Sequence, residues 1–297
     1  MRPHHALLAA MTSVIWGLGF VATKFGIESF SAPQLTALRF LIASLPIFLV
    51  PRPKIGWGML VMIGLSLFAG QFLLLFFAFE AGMPPGLASV TQQMQVFFTV
   101  GLSALFLRDL PTPVQCTGMA IAFTGLALIA FTVGGDLKYI ALGLALMGAL
   151  SWAIGNILIK RLPDVPIFPL IAWASVVPPI PALLISSLQD NGPSLLVAIE
   201  RASWTGICGA VYLGTVATMM AYAIWGKLLQ LYPAGAVAPF ALLSPCTGVI
   251  ASVAVFGERF GPLRLGGMSL IVLGLVVILS FGRAKKAGTP IEAPLAR

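Results

Sequence analysis

Hydrophobic residues run in long blocks along the whole chain, and short polar breaks containing proline or glycine separate these blocks. A membrane-spanning helix needs about 20 mainly apolar residues, and ten such blocks can be laid down on this sequence. The blocks lack the alternation of apolar and polar residues that is typical of a barrel strand, and lipid cannot satisfy an open backbone, so helices are required. The predicted helices cover residues 6–25, 33–50, 59–79, 86–107, 113–133, 139–159, 168–187, 204–225, 234–256 and 262–281.

The chain contains an internal duplication. The stretch from Asp109 to Leu126 has a second version that begins 149 positions later at Glu258, with a proline, a Gly-Met pair and a Gly-Leu pair at the same spacing. Trp16 in the first predicted helix likewise returns as Trp152 in the sixth, 136 positions later. Such repeats change the fold that a sequence predicts, because each copy is one structural unit.

The number of helices in each copy determines how the copies are oriented. Five is an odd number, so the second copy enters the membrane from the side opposite to the first, as in transporters built from inverted repeats. We therefore expect an all-α polytopic membrane protein of ten transmembrane helices in two inverted five-helix repeats. The repeats cover residues 1–133 and 139–282, with a linker at 134–138 and a disordered tail at 283–297.

Composition and charge agree with a membrane location. Of the 297 residues, 59% are hydrophobic and only 9% are charged, whereas soluble proteins average roughly 25% charged residues. The net charge of +8 comes from basic residues at segment ends, which favours orientation in the membrane over binding of nucleic acid. Eleven lysines and arginines lie at one set of ends and five at the other, which predicts that both termini are cytoplasmic. The predicted partners are the lipid bilayer and a small-molecule substrate; a monomer is sufficient and a dimer is also compatible.

Residues suited to catalysis are scarce. His4 and His5 are the only histidines and are expected to precede the first helix, and no Cys-His pair or acidic pair at helical spacing occurs. We therefore predict that the chain is not an enzyme, with no catalytic residue, no metal site and no cofactor. A channel is a further alternative, but the inverted duplication and the lack of a charged ring argue against it.

Several motifs recur in an order that points to a known family. The two five-helix repeats, the Trp16-Gly17 to Lys24 pattern, the Arg39-Phe40 pair and the acidic-to-Gly-Met element closing each half resemble the EamA-type permeases of the drug/metabolite transporter superfamily. The resemblance covers nearly the whole chain, and within the family the chain is similar to bacterial inner-membrane exporters of amino acids. It implies a multi-pass inner-membrane protein that exports small metabolites through a central cavity by alternating access. It does not specify the substrate, because relatives on one fold carry different solutes.

The densest polar cluster inside any predicted helix is Thr91 to Gln95. Gln92, Gln95 and Thr99 have the spacing i, i+3 and i+7, so they share one helix face, whereas Gln93 points elsewhere. A glutamine amide offers donors and acceptors, which suits the ammonium and carboxylate of a zwitterion without a fixed charge in the membrane. The alternative is hydrogen bonding between helices.

Aromatic side chains are the other candidates for substrate contacts. Trp16 and Trp152 each lie eight residues before a lysine that ends the helix, which is roughly 12 Å of helical rise and nearer the midplane than an interfacial anchor. Packing is the alternative for the aromatic stripes. The predicted substrate-binding residues are Gln92, Gln95, Trp16, Trp152, Asn156, Phe20, Phe79, Tyr222, Trp225 and Trp173. A cavity rich in tryptophan and glutamine favours amino acids with large apolar or aromatic side chains.

Charged residues inside the predicted helices bear on the mechanism. All nine acidic residues fall at segment ends, in connections or in the tail, so no carboxylate is available for a proton relay at the midplane. A facilitative transporter fits better than the alternative, a multidrug or other-metabolite exporter coupled to protons. Arg39 is the deepest formal charge, and we expect it to extend toward the interface or to pair with an acidic residue at a helix end.

Glycine and proline predict two local features. Gly118 and Gly125 are seven residues apart and share one helix face, as do Gly267 and Gly274, which indicates close helix packing. In the ninth segment a proline at position 239 removes a backbone donor and should bend or loosen the helix.

Overall fold

The structure is a computed structural model that describes residues 1–83, 88, 91–131, 138–189, 193–256 and 261–281. All regular secondary structure within these ranges is helical. The helices are α1 (Pro3–Ile27), α2 (Ala32–Ser44), α3 (Trp57–Glu80), α4 (Met94–Leu107), α5 (Pro113–Phe131), α6 (Tyr139–Lys160), α7 (Ile167–Ala174), α8 (Pro179–Gln189), α9 (Leu195–Arg201), α10 (Trp204–Leu231), α11 (Ala234–Val237), α12 (Leu243–Phe256) and α13 (Pro262–Phe281). Short 3₁₀ turns at Leu45–Phe48 and Ala238–Leu242 follow α2 and α11.

The helices have the length and composition of a multi-pass membrane protein. Within the described ranges, six helical stretches are long and apolar enough to cross a membrane, namely α1, α3, α6, α7 with α8, α10, and α11 with α12. Four shorter apolar stretches cover residues 32–48, 94–107, 113–128 and 265–278. These ten stretches fall on the ten predicted segments, while the inverted arrangement of two five-helix repeats stays a prediction. The predicted tail at 283–297 and residues 134–137 of the predicted linker lie outside the described residues.

Two differences from the sequence prediction concern the start of the first helix and an additional short helix. Helix α1 begins at Pro3, so His4 and His5 lie in its first turn and do not precede it. Proline suits this position because its fixed φ is already helical and its missing N–H would have no partner there. The second difference is α9, a short helix of seven residues in a connection where no helix was predicted.

Three long helical stretches, namely α3, α10 and the stretch from α11 to α12, depart from α-helical geometry along their length. Residues Gly64–Gly70 of α3 and Thr215–Met220 of α10 form π-helical turns, and α11 is followed by the 3₁₀ segment that contains Pro239. The last departure interrupts the α-helix at the predicted proline, where the backbone tightens into a 3₁₀ turn. Helix π-turns are rare and often occur at functional sites, because they redirect backbone carbonyls away from the regular ladder.

The redirected carbonyls bind the first helix of the opposite half. Trp16 of α1 donates its indole N–H to the Ala217 carbonyl in the π-turn of α10, at 3.0 Å. Ser151 of α6 donates its hydroxyl to the Ser66 carbonyl in the π-turn of α3, at 2.8 Å. Each half thereby supplies a helix that is hydrogen-bonded to the irregular part of the other half, next to the cavity described below.

The final helices of the two halves, α5 and α13, pack closely along their length. Gly118 lies against Gly274 and Gly125 lies against Gly267, with backbone facing backbone at both crossings. The close packing predicted from the seven-residue glycine spacing is confirmed. Small residues permit this approach, which supplies van der Waals contact where lipid offers no hydrophobic driving force between helices.

Candidate functional site

A cavity of about 140 Å³ lies among residues of both halves. Six of the ten predicted substrate-binding residues line it, namely Trp16, Phe20, Gln92, Gln95, Trp152 and Tyr222. The lining also includes Arg39 of α2, Gln71 and Phe72 of α3, and Gln93, none of which was among the predicted substrate-binding residues. The cavity therefore combines an aromatic wall with a set of amide side chains and one arginine.

The aromatic wall is a cluster of rings in mutual contact. Trp16 lies with its ring centroid 5.1 Å from that of Tyr222 and 5.0 Å from that of Trp225. Trp152 donates its indole N–H to the Tyr222 hydroxyl at 3.2 Å. Tilted and edge-on aromatic contacts of this kind stabilise a defined arrangement of rings. The wall is thus a preformed apolar surface with the Tyr222 hydroxyl held by Trp152.

Two predicted site residues support this wall from behind. Trp225 and Asn156 are both fully buried and do not line the cavity. The Trp225 indole N–H donates to the Asn156 side-chain oxygen at 3.3 Å, and the Asn156 amide donates to the Thr99 hydroxyl at 3.3 Å. Thr99 shares a face with Gln92 in the sequence prediction, but its hydroxyl serves this chain of hydrogen bonds. Asn156 therefore contacts the wall and α4, and lies one layer behind the cavity lining.

The remaining two predicted site residues lie away from the cavity. Phe79 is in the last turn of α3, beyond the cavity-lining Gln71 and Phe72, and is 40% exposed. Trp173 of α7 donates to the Val50 carbonyl at 3.4 Å and packs against Trp57. The position of each side chain relative to the cavity depends on helix length and rotation, and the spacing of aromatic residues specifies neither.

Three neighbouring glutamines present unsatisfied polar atoms at the cavity. Gln92, Gln93 and Gln95 are 9%, 3% and 7% exposed. Among the residues that the structure describes, neither amide atom of Gln92 has a hydrogen-bond partner, and the side-chain oxygens of Gln93 and Gln95 also have none. A buried polar atom without a partner costs about 1–3 kcal/mol, and buried polar atoms are nearly always paired. These side chains are therefore candidates for contacts with a ligand in the cavity.

Gln93 was expected to point elsewhere, and the structure brings it to the cavity with its neighbours. The prediction assumed one continuous helix through the cluster. Helix α4 begins only at Met94, and Gln93 forms a turn immediately before it. Gln93 is a single turn residue between the helical residues Thr91 and Gln92 and the start of α4, so the face rule for one continuous helix does not fix its direction.

Arg39 is the functional candidate whose place the sequence prediction missed. It is 8% exposed, its Nε donates to the Thr218 hydroxyl at 2.7 Å, and its guanidinium carbon lies 4.5 Å from the centroid of the Phe72 ring. Within the part of the chain that the structure describes, Arg39 pairs with no carboxylate. Its depth in the second segment was visible in the sequence, but its position beside the cavity was not.

A polar network connects several segments at the end of the bundle that carries the N-terminus. Lys160 forms an ion pair with Asp109 at 3.0 Å and donates to the Tyr232 carbonyl at 2.7 Å. The same Asp109 oxygen accepts from the Ala234 backbone N–H at 2.8 Å. Tyr232 in turn contacts the His5 ring nitrogen at 2.6 Å. The network ties the connection that follows α4 to the second half of the chain.

The cavity and the network lie at different depths. In α1 the cavity is lined from Trp16 to Thr23, in the second half of the helix. Trp16 is eleven residues beyond His5, which is roughly 16 Å of helical rise. The cavity is therefore displaced from the N-terminal end of the bundle, where Asp109 and Lys160 join the two halves.

Comparison with known proteins gives one family and close relatives. The EamA-like transporter family matches the chain twice, over residues 5–131 and 139–280. A Salmonella typhimurium protein named "Probable amino-acid metabolite efflux pump" is 37% identical over 93% of this chain and 95% of its own length. A protein of Escherichia coli K12 with the same name is 35% identical over 97% of this chain and 98% of its own length. A solved crystal structure with 18% identity has a TM-score of 0.77 over 93% of this chain and 98% of that chain, which shows a shared fold.

Proposed function

The chain belongs to the EamA-like transporter family, and from this premise we propose that it exports amino acids and closely related metabolites across the bacterial inner membrane. The observation that carries the proposal is the cavity between the halves, where an aromatic wall faces amide groups without partners. Few polar groups in a mostly apolar cavity are the usual arrangement for binding a small molecule. The names of the two relatives, both at 35% identity or more, support an amino-acid metabolite as the solute.

The wall supports the finer proposal that large apolar or aromatic side chains are preferred. Trp16, Trp152 and Tyr222 present ring faces and edges to the cavity, and an apolar side chain gains dispersion contact on such a surface. Gln92 and Gln95 would orient the polar end of the same molecule. An amphipathic solute thus has a complementary surface at both of its ends.

The mechanism that we propose is alternating access. The two halves would rock about the cavity, with the π-turns of α3 and α10 and the 3₁₀ segment before α12 as sites where the helices bend. With both termini cytoplasmic, the end closed by Asp109 and Lys160 is the cytoplasmic one. The cavity then has its exit toward the opposite side of the membrane.

Transport is proposed to be facilitative. Among the described residues that line the cavity there is no aspartate or glutamate, and a proton-coupled carrier generally needs a titratable carboxylate within the membrane. The competing function is a proton-coupled exporter of drugs or other metabolites, for which a permanent cation would favour a buried acid. The two functions differ in their response to a pH gradient.

Counterflow in proteoliposomes of the purified protein tests the function directly. With a panel of labelled amino acids and no imposed pH or sodium gradient, we expect accumulation of large apolar amino acids well above protein-free liposomes. The signal should remain when a protonophore is added, because exchange down a solute gradient needs no driving ion. Correctly folded protein that is silent across the panel would contradict amino-acid export. A signal that disappears on removing a pH gradient, with the solute gradient kept, would contradict the facilitative mechanism.

The Asp109→Asn variant tests the closed end of the bundle. It weakens the ion pair to Lys160 and the hydrogen bond from Ala234, and we expect the ratio of closed to open molecules to fall roughly 5- to 30-fold, which corresponds to about 1–2 kcal/mol. The upper limit is modest because both side chains are partly exposed to solvent. Spin labels at Leu110 and Leu231, measured by pulsed electron paramagnetic resonance, should show a new population at longer distance.

The matched control is Asp164→Asn, which removes the same charge from an exposed residue in the connection after α6. This control should reproduce the distance distribution of the unmodified sequence. If Asp109→Asn also gives the distance distribution of the unmodified sequence, the network does not hold the two halves together.

A further inference from the structure

The described residues around Arg39 accept only part of the hydrogen bonds that its guanidinium can donate. Its Nε donates to Thr218 and its plane lies over the Phe72 ring, but its two terminal amino groups have no hydrogen-bond partner among the residues that the structure describes. Arg39 lines the cavity and is 8% exposed. Arg39 therefore brings two remaining donor groups to the cavity lining, and a guanidinium can bind a planar anion through two parallel hydrogen bonds.

The charge of Arg39 also has no counter-charge among the described residues. The nearest groups in contact with it are a neutral hydroxyl and two aromatic rings, those of Phe40 and Phe72. Charged side chains at membrane depth are costly and nearly always pair with something. With no carboxylate of the described chain beside Arg39, an anion that enters the cavity is the remaining candidate for the partner.

A second, independent set of atoms in the same cavity consists of acceptors that have no donor among the described residues. The side-chain oxygens of Gln92, Gln93 and Gln95 are buried acceptors for which the described part of the chain supplies no donor. A primary ammonium group has three N–H donors and no acceptor. The cavity thus presents free donors with a positive charge on α2 and free acceptors in and next to α4.

We propose that Arg39 binds the carboxylate of the transported amino acid, and that the three glutamine oxygens accept hydrogen bonds from its ammonium. This proposal rests on the proposed export of amino acids and names the group common to the substrates, the α-amino acid zwitterion. The side chain then extends along the aromatic wall of Trp16, Trp152 and Tyr222. Recognition through the shared backbone of amino acids allows the side chain to vary, since the charged contacts are the same for each substrate.

The charge balance favours a monocarboxylate over a phosphate. Arg39 is the only basic residue among the described residues that line the cavity, and a phosphate ester carries nearly two negative charges at neutral pH. A carboxylic acid without an amino group would pair with Arg39 but leave the glutamine oxygens unsatisfied. An amino-acid amide would donate to the glutamine oxygens but leave Arg39 without a carboxylate.

The test compares three competitors in the counterflow assay: the amino acid with the strongest signal, its α-amide, and the matching acid without the amino group. For the unmodified sequence, we expect the amide to compete at least about tenfold more weakly than the amino acid. Arg39→Gln should abolish this difference, because the amino acid loses its carboxylate contact while the amide has none to lose. Arg52→Gln is the matched control, since Arg52 is exposed and lies over Trp57 away from the cavity.

The outcomes separate this inference from the proposed function. Equal competition by amino acid and amide, in a protein that transports amino acids, would overturn the role of Arg39 and leave the function intact. Transport of no amino acid at all would overturn both. An Arg39→Gln protein that folds, transports more slowly and still discriminates against the amide would show that Arg39 serves only packing.

A second variant covers the case in which Arg39→Gln does not fold. Arg39→Lys keeps the positive charge but lacks the planar pair of donors. We expect it to retain a preference for the amino acid over the amide while the amino acid competes about tenfold more weakly than in the unmodified sequence. Undiminished competition by the amino acid would contradict a two-pronged contact with its carboxylate.

Discussion

Leucine at Gly118 or at Gly274 should prevent recovery of a folded protein. A Cβ atom built at Gly118 would lie 2.6 Å from the Gly274 carbonyl oxygen, and one built at Gly274 would lie 2.8 Å from the Ala122 backbone nitrogen. These obstacles are backbone atoms, so a change of rotamer cannot relieve the overlap. The two helices would have to separate along the crossing where α5 and α13 are in closest contact.

The expected loss is at or above the upper end of what overpacking usually costs, about 3 kcal/mol. Separation of the helices would also remove the dispersion contacts that hold them together in lipid. We expect the monodisperse peak in detergent to disappear on size-exclusion chromatography, and any residual protein to melt at a much lower temperature.

Gly266→Leu is the matched control in the same helix as Gly274. A Cβ at Gly266 would meet no atom within 4 Å. Leucine also has a higher helix propensity than glycine, by up to roughly 1 kcal/mol. This variant should therefore be recovered with normal yield and a melting temperature that is unchanged or slightly raised. Normal recovery of the Gly118→Leu and Gly274→Leu proteins as well would contradict the packing of α5 against α13.

Replacement of Gln92 by leucine should reduce transport by about 10- to 100-fold without loss of protein. The side chain has two buried amide atoms without partners at the cavity, and a hydrogen bond to a charged group contributes about 1.5–3 kcal/mol. An ammonium or carboxylate that loses this contact binds correspondingly more weakly. Leucine inserts into the membrane more favourably than glutamine, so insertion and yield should not fall.

The assay is counterflow of the preferred amino acid, with initial rates normalised to protein recovered in the liposomes. Thr124→Val is a suitable control, because it removes a polar group from an exposed position of α5 whose hydroxyl donates to the Ala120 carbonyl of the same helix. That variant should transport normally. Normal transport by Gln92→Leu would mean that the glutamine amide does not contact the solute, and the polar side of the proposed site would be wrong.

The sequence by itself determined the membrane location, the ten apolar segments, the interruption of the α-helix at Pro239 and the glycine crossing. These features follow from local composition and spacing, since a run of about 20 apolar residues or a seven-residue glycine repeat has the same consequence in any bundle. Six of the cavity-lining residues were also predicted from the sequence. Gln92, Trp16 and Trp152 are polar or aromatic residues at membrane depth, where such side chains are unusual enough to be noticed.

Only the tertiary structure decided which of these side chains meet. Arg39 reaches the cavity because α2 packs beside α3 and α10, which supply Phe72 and Thr218. Asn156, predicted as a contact, lies behind the wall, and Gln93 lines the cavity from the turn before α4. The rotation of each helix, the position of its first residue and its π-turns depend on contacts between residues far apart in the chain. Hydrophobic periodicity says that a helix exists but does not fix its neighbours, which is why the cationic end of the site emerged only from the packed bundle.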